Sequence, residues 1–456
     1  MTIDNCKLKT RSPQTGEQYH KTIFDALERA DQEVYQLIAG EYQRRQNTLQ
    51  LIAAENQCSP AVLAALGSVI QNKTTEGFVG ARFHGGCQVV DRVEELAVKR
   101  AKDAFGAKYA NVQPHSGTAA NQIVLTALLQ RDDKILSLGL DQGGHLSHGA
   151  RVSFTGKFFN VENYYVDRRT FLLDYEAIGD KARNVKPKLI ICGASAYCRT
   201  IDFKKFREIA DEAGAYLLAD ISHIAGLVIA GAHPSSVDYA HFSTTSTYKP
   251  GGPRGGLIIM GKDYDRKIMV GTKSMPLWEH IERTTFPGVQ GTPYLNNIAA
   301  KAVFFKETLC EEYKQRQFKI IENAKALAAS LLELGHDVVT GGTDNHMILV
   351  NVANFREGLT GVMAQKCLED CGIVVNMNRL PYDKKAATIT SGIRLGAPIV
   401  TKNGMGPQEM RTTAQLIDAV LRTVEIISDA EYRIDRSFQN KTRQKVEDLC
   451  SKFPMQ

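Results

Sequence analysis

No block of like charge runs through this 456-residue sequence: 56 Lys and Arg are scattered among 50 Asp and Glu, leaving a formal charge of +6. A nucleic-acid footprint needs clustered Lys and Arg, so that class is disfavoured and anionic small molecules become the expected partners. A disulfide framework is missing as well. The nine cysteines are odd in number, and the closest, Cys192 with Cys198 and Cys367 with Cys371, are not CxxC pairs. A reducing compartment is the simpler reading. Long apolar runs are also lacking. IAGLVIAGA over 224–232 is the longest, about half of what a bilayer span needs. The polar opening MTIDNCKLKTRSPQTGEQ has no apolar stretch of the secretory kind. Repeats and low-complexity segments do not occur. These absences predict a cytoplasmic protein with neither nucleic acid nor membrane as partner.

What is there is an ordinary globular composition, 43% hydrophobic and 23% charged, on a chain long enough for more than one core. Residues 1–20 read as an arm. Ile23, Leu27, Ala30, Val34, Leu37 and Ile38 recur at helical steps, which predicts an amphipathic helix over 21–46. From residue 90 helix and strand patterns alternate. VDRVEELAVKRAKDAFG, TAANQIVLTALLQ and FKKFREIADEAG read as helices. YANVQP, KILSLGL, KLIICGASAY and AYLLADISH are short strand-like runs, most of them nearly continuous in apolar residues, as suits strands covered on both faces. The pattern predicts an α/β unit. After residue 300, long helices over 301–336 and 408–432 frame short strands such as HMILVNV and SGIRLGAP, predicting a smaller α+β unit. The expected division is 1–48 (arm and helix), 49–300 (large domain) and 301–456 (small domain).

Three stretches carry chemistry. In VQPHSGTAANQ, Ser116, Gly117 and Thr118 end a strand and open a helix, where free N–H groups and the helix dipole favour an anion; a plain N-cap explains the same residues. In LLADISHIAG, Asp220 ends a very apolar strand, where a carboxylate needs a cationic partner or a local turn to cap. His223 follows three residues on and can approach the same partner. In STTSTYKPGGPRGG, Lys249 follows a hydroxyl-rich strand, with Pro250 biasing it towards extended backbone and glycines permitting close approach. A solvated side chain is the ordinary fate of a lysine, but a sheltered one loses its proton readily and becomes an amine nucleophile for Schiff-base chemistry. A phosphate cup, a strand-end aspartate and a lysine about 29 residues later match the needs of pyridoxal phosphate. His145 and His148 also suggest a metal, but no carboxylate or Cys stands beside them at ligand spacing, so none is expected.

EGFVGARFHGG, NVQPHSGTAAN, GGHLSHG, KLIICGASAY, DISHIAGL, GGPRGG, FPGVQG and TSGIRLG are long and specific, and with them the chain resembles the serine hydroxymethyltransferase family. That resemblance runs from Leu49 to the SGIRLGAP segment and, less clearly, beyond. It implies the α/β fold of type I pyridoxal-phosphate transferases, with a mainly parallel central sheet in the large domain. It implies pyridoxal phosphate bound covalently to Lys249, with Asp220 on the pyridine nitrogen, His145 stacked on the ring, and Ser195 and His223 on its 3′-oxygen side. Ser116, Gly117 and Thr118 would hold the phosphate, with Tyr248 adjoining and Gly291 contributed by a neighbouring subunit. Arg394 would fork onto the amino-acid carboxylate, beside Ala54. Glu76 would move the proton at the substrate hydroxyl or at folate, flanked by Thr74 and His84. Leu140, Gly144, Leu146 and Asn378 would line a pocket for tetrahydrofolate. A homodimer sharing its active sites is implied, and a tetramer is left open.

Departures gather around the substrate. Ala54 stands where LIASEN has serine, and Gln57 replaces a common tyrosine. Thr74 takes the tyrosine of NKYAEG, and Phe83 and His84 replace the tyrosines of RYYGG. Tyr248 replaces the histidine before the lysine, the turn after Lys249 is one residue shorter than KTLRGPRGG, and VGTKSMPLWEHIERTTFPG is longer than the usual link. Thr74 leaves the volume of a phenol ring empty, and His84 adds an imidazole. These changes point to α-methylserine and D-alanine in place of, or beside, serine and glycine. The alternatives are an ordinary serine/glycine enzyme, a folate-independent aldolase or transaldolase on β-hydroxy amino acids, and a non-catalytic paralogue.

Overall fold

The computed structural model describes residues 25–455; the expected arm over 1–20 lies outside them, as does Ile23. Seven strands build the central sheet: β1 (Tyr109–Asn111), β2 (Lys134–Leu138), β3 (Asn160–Tyr164), β4 (Leu189–Cys192), β5 (Tyr216–Asp220), β6 (Phe242–Ser246) and β7 (Gly256–Met260). Their spatial order is β1-β7-β6-β5-β4-β2-β3. From β3 to β6 every pairing is parallel. Strand β7 alone runs antiparallel, against both β6 and β1. The cause is local: a tight turn after Lys249 returns the chain at once, with no room for the crossover that a parallel neighbour requires.

Residues of β4 alternate between the two faces of the sheet. Ile190 and Cys192 join one buried cluster with Phe203, Phe206 and Phe304, while Leu189 and Ile191 join another with Ile123, Leu125 and Phe242. Both faces are covered, which is why the strand reads as a continuous apolar run. Strand β6 is buried along its whole length despite its hydroxyls. Those hydroxyls have partners: Thr244 donates to Asn121 Oδ1 at 2.5 Å, Thr245 to the Ser246 carbonyl at 2.8 Å, and Ser243 pairs with Ser236 at 2.7 Å. Paired hydroxyls remove the desolvation penalty that would otherwise oppose burial.

A second sheet, β8 (Asp337–Val338), β9 (Met347–Asn351), β10 (Asn376–Asn378) and β11 (Gly392–Gly396), has the order β8-β9-β11-β10 and is antiparallel throughout. It shares a separate hydrophobic cluster with the helices Glu311–Glu333 and Pro407–Thr423. Leu49 and Leu51 belong to this cluster, because Leu49–Gln50 pairs with Ile373–Val374; by packing they sit with the C-terminal half of the chain rather than with the unit expected over 49–300.

Helix boundaries differ from expectation in three places. The stretch over 301–336 is two helices, Leu295–Thr308 and Glu311–Glu333, separated where Cys310 adopts extended backbone. The helix expected over 408–432 stops at Thr423, and Glu425–Ile426 pairs with Tyr432–Arg433 instead. Near the N-terminus, Asp31 caps a new helix, Gln32–Gln46, by accepting from the Val34 N–H. Its expected apolar face is not covered by the described residues: Leu37 is 68% exposed. No helix among the described residues is long and apolar enough to cross a membrane.

Candidate active site

The parallel strands deliver their C-terminal ends to one side of the sheet, the usual site of ligand crevices in α/β folds. Asp220, the last residue of β5, is 8% exposed there. Its Oδ2 accepts from Asn121 Nδ2 at 2.8 Å and faces His148 Nε2 at 3.0 Å, while Oδ1 accepts from the Ser222 N–H at 3.0 Å. Burial pushes its pKa up, but the hydrogen bond and charge of His148, with His145 and Ser222, outweigh that and hold it far below the usual carboxylate range. Asp220 is therefore a buried carboxylate kept ionised.

Lys249 lies three residues beyond β6, in a hydrogen-bonded turn. The Gly251 and Gly252 N–H groups close the turn on the carbonyls of Tyr248 and Thr247, each at 3.0 Å, and Asn56 Nδ2 caps the Lys249 carbonyl at 3.0 Å. Its ammonium has the Ser246 hydroxyl at 3.3 Å. Burial lowers its pKa to about 8, with Arg394 and Arg254 pushing the same way and Asp220 opposing. The glycines of the turn make room for protein, not directly for a ligand. A Cβ on Gly252 would lie 2.7 Å from the Phe304 ring, and one on Gly256 would lie 2.1 Å from the Ser116 carbonyl.

Ser116, Gly117, Thr118, His145, Ser195, Asp220, His223, Tyr248 and Lys249 all border one cavity of about 220 Å³. Ser116 is also a true N-cap, since its Oγ accepts from the Ala119 N–H at 3.0 Å, so the two readings of that stretch coexist. His145 has its pKa lowered to about 4, chiefly by burial, and is neutral near pH 7. His223 is likewise depressed by burial and by the nearby cations Lys249 and Arg394. It stacks on His346, with ring centroids 5.6 Å apart. Tyr248 has the Arg254 guanidinium 4.2 Å and the Lys249 ammonium 5.2 Å from its ring centroid.

Arg394, in the middle of β11, reaches across from the second sheet. Its Nη1 donates to the Ser195 carbonyl and its Nε to Asn376 Oδ1 at 3.1 Å. Burial lowers its pKa to about 10, so it stays charged. A second cavity, about 580 Å³, shares His145 with the first and is bordered by Leu140 and Arg379. Leu140 and Leu146 are 48% and 51% exposed. Gly144 packs against the Leu138 carbonyl, and Asn378 donates to the Arg379 carbonyl at 2.6 Å. Ala54 is half-buried beside Ala53, whose carbonyl faces His346 Nε2 at 3.1 Å.

Arg394 and Ala54 are not among the residues bordering the first cavity, and four further expected residues stand away from it. Thr74, His84 and Gly291 are exposed, and Glu76 is half-buried with its N–H facing His84 Nδ1 at 3.4 Å. Conversely, His148, Asn121, Ser222, Ser246, Arg254 and His346 were not singled out as site residues. Arg254 and His148 lie inside the quoted GGPRGG and GGHLSHG motifs, which was the available signal. The carboxylate thought to be missing beside His145 and His148 is Asp220: ligand atoms of the three lie within 4.8 Å of one another. Both Asp220 oxygens and His145 Nδ1 are, however, already engaged in hydrogen bonds.

An ionised strand-end carboxylate, a neutral histidine ring, a helix N-terminus for a phosphate and a buried amine of lowered pKa border the same cavity, and this donor set fits pyridoxal phosphate. Fold and site thus define a fold-type-I pyridoxal-phosphate enzyme. The family model for serine hydroxymethyltransferase matches residues 27–417. A protein named serine hydroxymethyltransferase from Methanosarcina barkeri (strain Fusaro / DSM 804) is 47% identical over 430 residues, covering 94% of this chain and 99% of that one. The chain belongs to the serine hydroxymethyltransferase family, whose members use pyridoxal phosphate and tetrahydrofolate in one-carbon transfer.

Proposed function

We infer that the cavity around Lys249 moves a one-carbon unit between a β-hydroxy-α-amino acid and tetrahydrofolate, and that its amino-acid pair includes α-methylserine and D-alanine. The observation that carries the catalytic assignment is the meeting of Lys249, Asp220 and the Ser116–Thr118 turn at one cavity. Bound pyridoxal phosphate would supply an electron sink for the carbanion left when the Cα–Cβ bond breaks. Lys249 would hold the group covalently, its pKa lowered to about 8 making neutral amine far more available than in an ordinary lysine. Asp220 would keep the pyridine nitrogen protonated, and neutral His145 would stack on the ring. Arg394 has Nε and Nη1 engaged by Asn376 and Ser195, and its Nη2 would meet the substrate carboxylate.

Glu76, Thr74 and His84 lie outside the cavity of their own chain. In this reading they act on the cavity of a second copy in a homodimer, with Glu76 moving the proton at the substrate hydroxyl. Leu140, Gly144, Leu146 and Asn378 would border the folate. The α-methyl reading rests on Ala54 and Thr74 in place of a hydroxyl and a phenol. A serine/glycine-only enzyme is the second reading, favoured by the 47% identity to a protein of that name. Turnover of L-serine, glycine, α-methylserine and D-alanine, with and without tetrahydrofolate, separates them. Turnover of serine and glycine far above the other pair removes the α-methyl reading. Cleavage indifferent to tetrahydrofolate removes the transferase assignment.

A further inference from the structure

Lys301, in the middle of the helix Leu295–Thr308, is 1% exposed, although lysine is almost never fully buried. Its ammonium donates to three backbone carbonyls: Val112 at 2.6 Å, Gly256 at 2.7 Å and Pro114 at 3.3 Å. An ammonium has three donors, so its capacity is filled. The acceptors frame the candidate site. Val112 and Pro114 lead directly into His115, Ser116, Gly117 and Thr118, and Gly256 closes the turn that begins at Lys249. The Gly256 N–H donates to the same Pro114 carbonyl at 2.9 Å, which fastens the two segments side by side.

Burial lowers the Lys301 pKa to about 7, and among the described residues no carboxylate pairs with it. Glu94, which acts on it, is already paired with Arg82. Burial lowers the pKa of His115, and the Lys301 charge lowers it further, so the ammonium's field reaches the residue next to Ser116.

We propose that Lys301 is a positioning residue for the phosphate end of the cofactor: through its three carbonyl partners it clamps the segment leading into the Ser116–Thr118 turn to the start of β7. This rests on the pyridoxal-phosphate reading. The test titrates the cofactor-free full-length chain with pyridoxal phosphate and, separately, with pyridoxal, which lacks the phosphate, following the visible absorbance of the bound group. In Lys301→Met, affinity for pyridoxal phosphate falls about tenfold or more while affinity for pyridoxal changes by less than about threefold. Gly255→Ala is the second variant, because its Cβ would lie 2.5 Å from Lys301 Cε and displace the ammonium without removing it; the same loss of discrimination is expected, to a smaller extent. Equal weakening of both ligands, or an unchanged ratio in the folded variants, overturns the proposal. A wild-type chain that binds neither ligand overturns the cofactor reading, and the proposal with it.

Discussion

Two lysines are buried close to the candidate site, and their surroundings oppose each other. Lys249, in the turn after β6, has one side-chain partner, the Ser246 hydroxyl at 3.3 Å, and borders an open cavity. Lys301, in the helix behind it, has three carbonyl partners and is 1% exposed. Burial lowers both pKa values, to about 8 and about 7. Desolvation alone therefore does not make a lysine reactive. What differs is access: Lys249 can leave its partner for a ligand, whereas Lys301 cannot move without stranding three carbonyls. One region is built for exchange and the other for retention.

The strongest way to break this contrast is Lys249→Ala. Transfer activity is expected to fall on the order of 10³-fold or more, measured as tetrahydrofolate-dependent cleavage, with no loss of Tm, since a desolvated amine with one partner is removed. Lys301→Met reverses the pattern in stability. Orphaned carbonyls are expected to lower unfolding free energy by about 2–5 kcal/mol in urea. If Lys249→Ala proves the more destabilising of the two, the contrast is wrong.

A third expectation concerns pH. Recapture of pyridoxal phosphate by the cofactor-free chain requires neutral Lys249, so its rate should rise with pH and level off above about 8. The sign follows from burial favouring the uncharged amine. A rate still climbing towards the ordinary lysine range would show that Lys249 is not sheltered. The smallest expected effect is on substrate choice. Ala54→Ser with Thr74→Tyr should move the ratio of D-alanine to glycine turnover about tenfold towards glycine, the worth of a methyl-sized change in a pocket. An unchanged ratio would detach those positions from the acceptor pocket.

Elements with a strong local period were legible in the sequence. Strands β2, β4 and β5 and the helices Gln88–Phe105, Gly117–Leu128 and Phe203–Glu212 fall where their apolar patterns placed them. Boundaries set by a single residue were not, as at Cys310 and Thr423, because a tertiary partner or a turn decides where a helix stops. The face over Val34, Leu37 and Ile38 kept its helical period but is exposed among the described residues.

Lys249, Asp220 and the Ser116–Thr118 turn could be singled out in the sequence because each is an exception to its local context: a lysine after a hydroxyl-rich strand, a carboxylate ending an apolar one, a small polar run opening a helix. Their chemistry follows from residue type. Which groups complete them does not. Asn121 reaches Asp220 across 99 positions and His148 across 72, and Lys301 meets Val112 across 189. Such pairs leave no periodicity behind, since packing and not sequence spacing brings them together. The sequence by itself determined the strand–helix alternation and the reactive groups. Only the tertiary structure decided that the carboxylate stays ionised, that one lysine is free to react, and that the other is held, because desolvation and hydrogen-bond partners are properties of the folded interior.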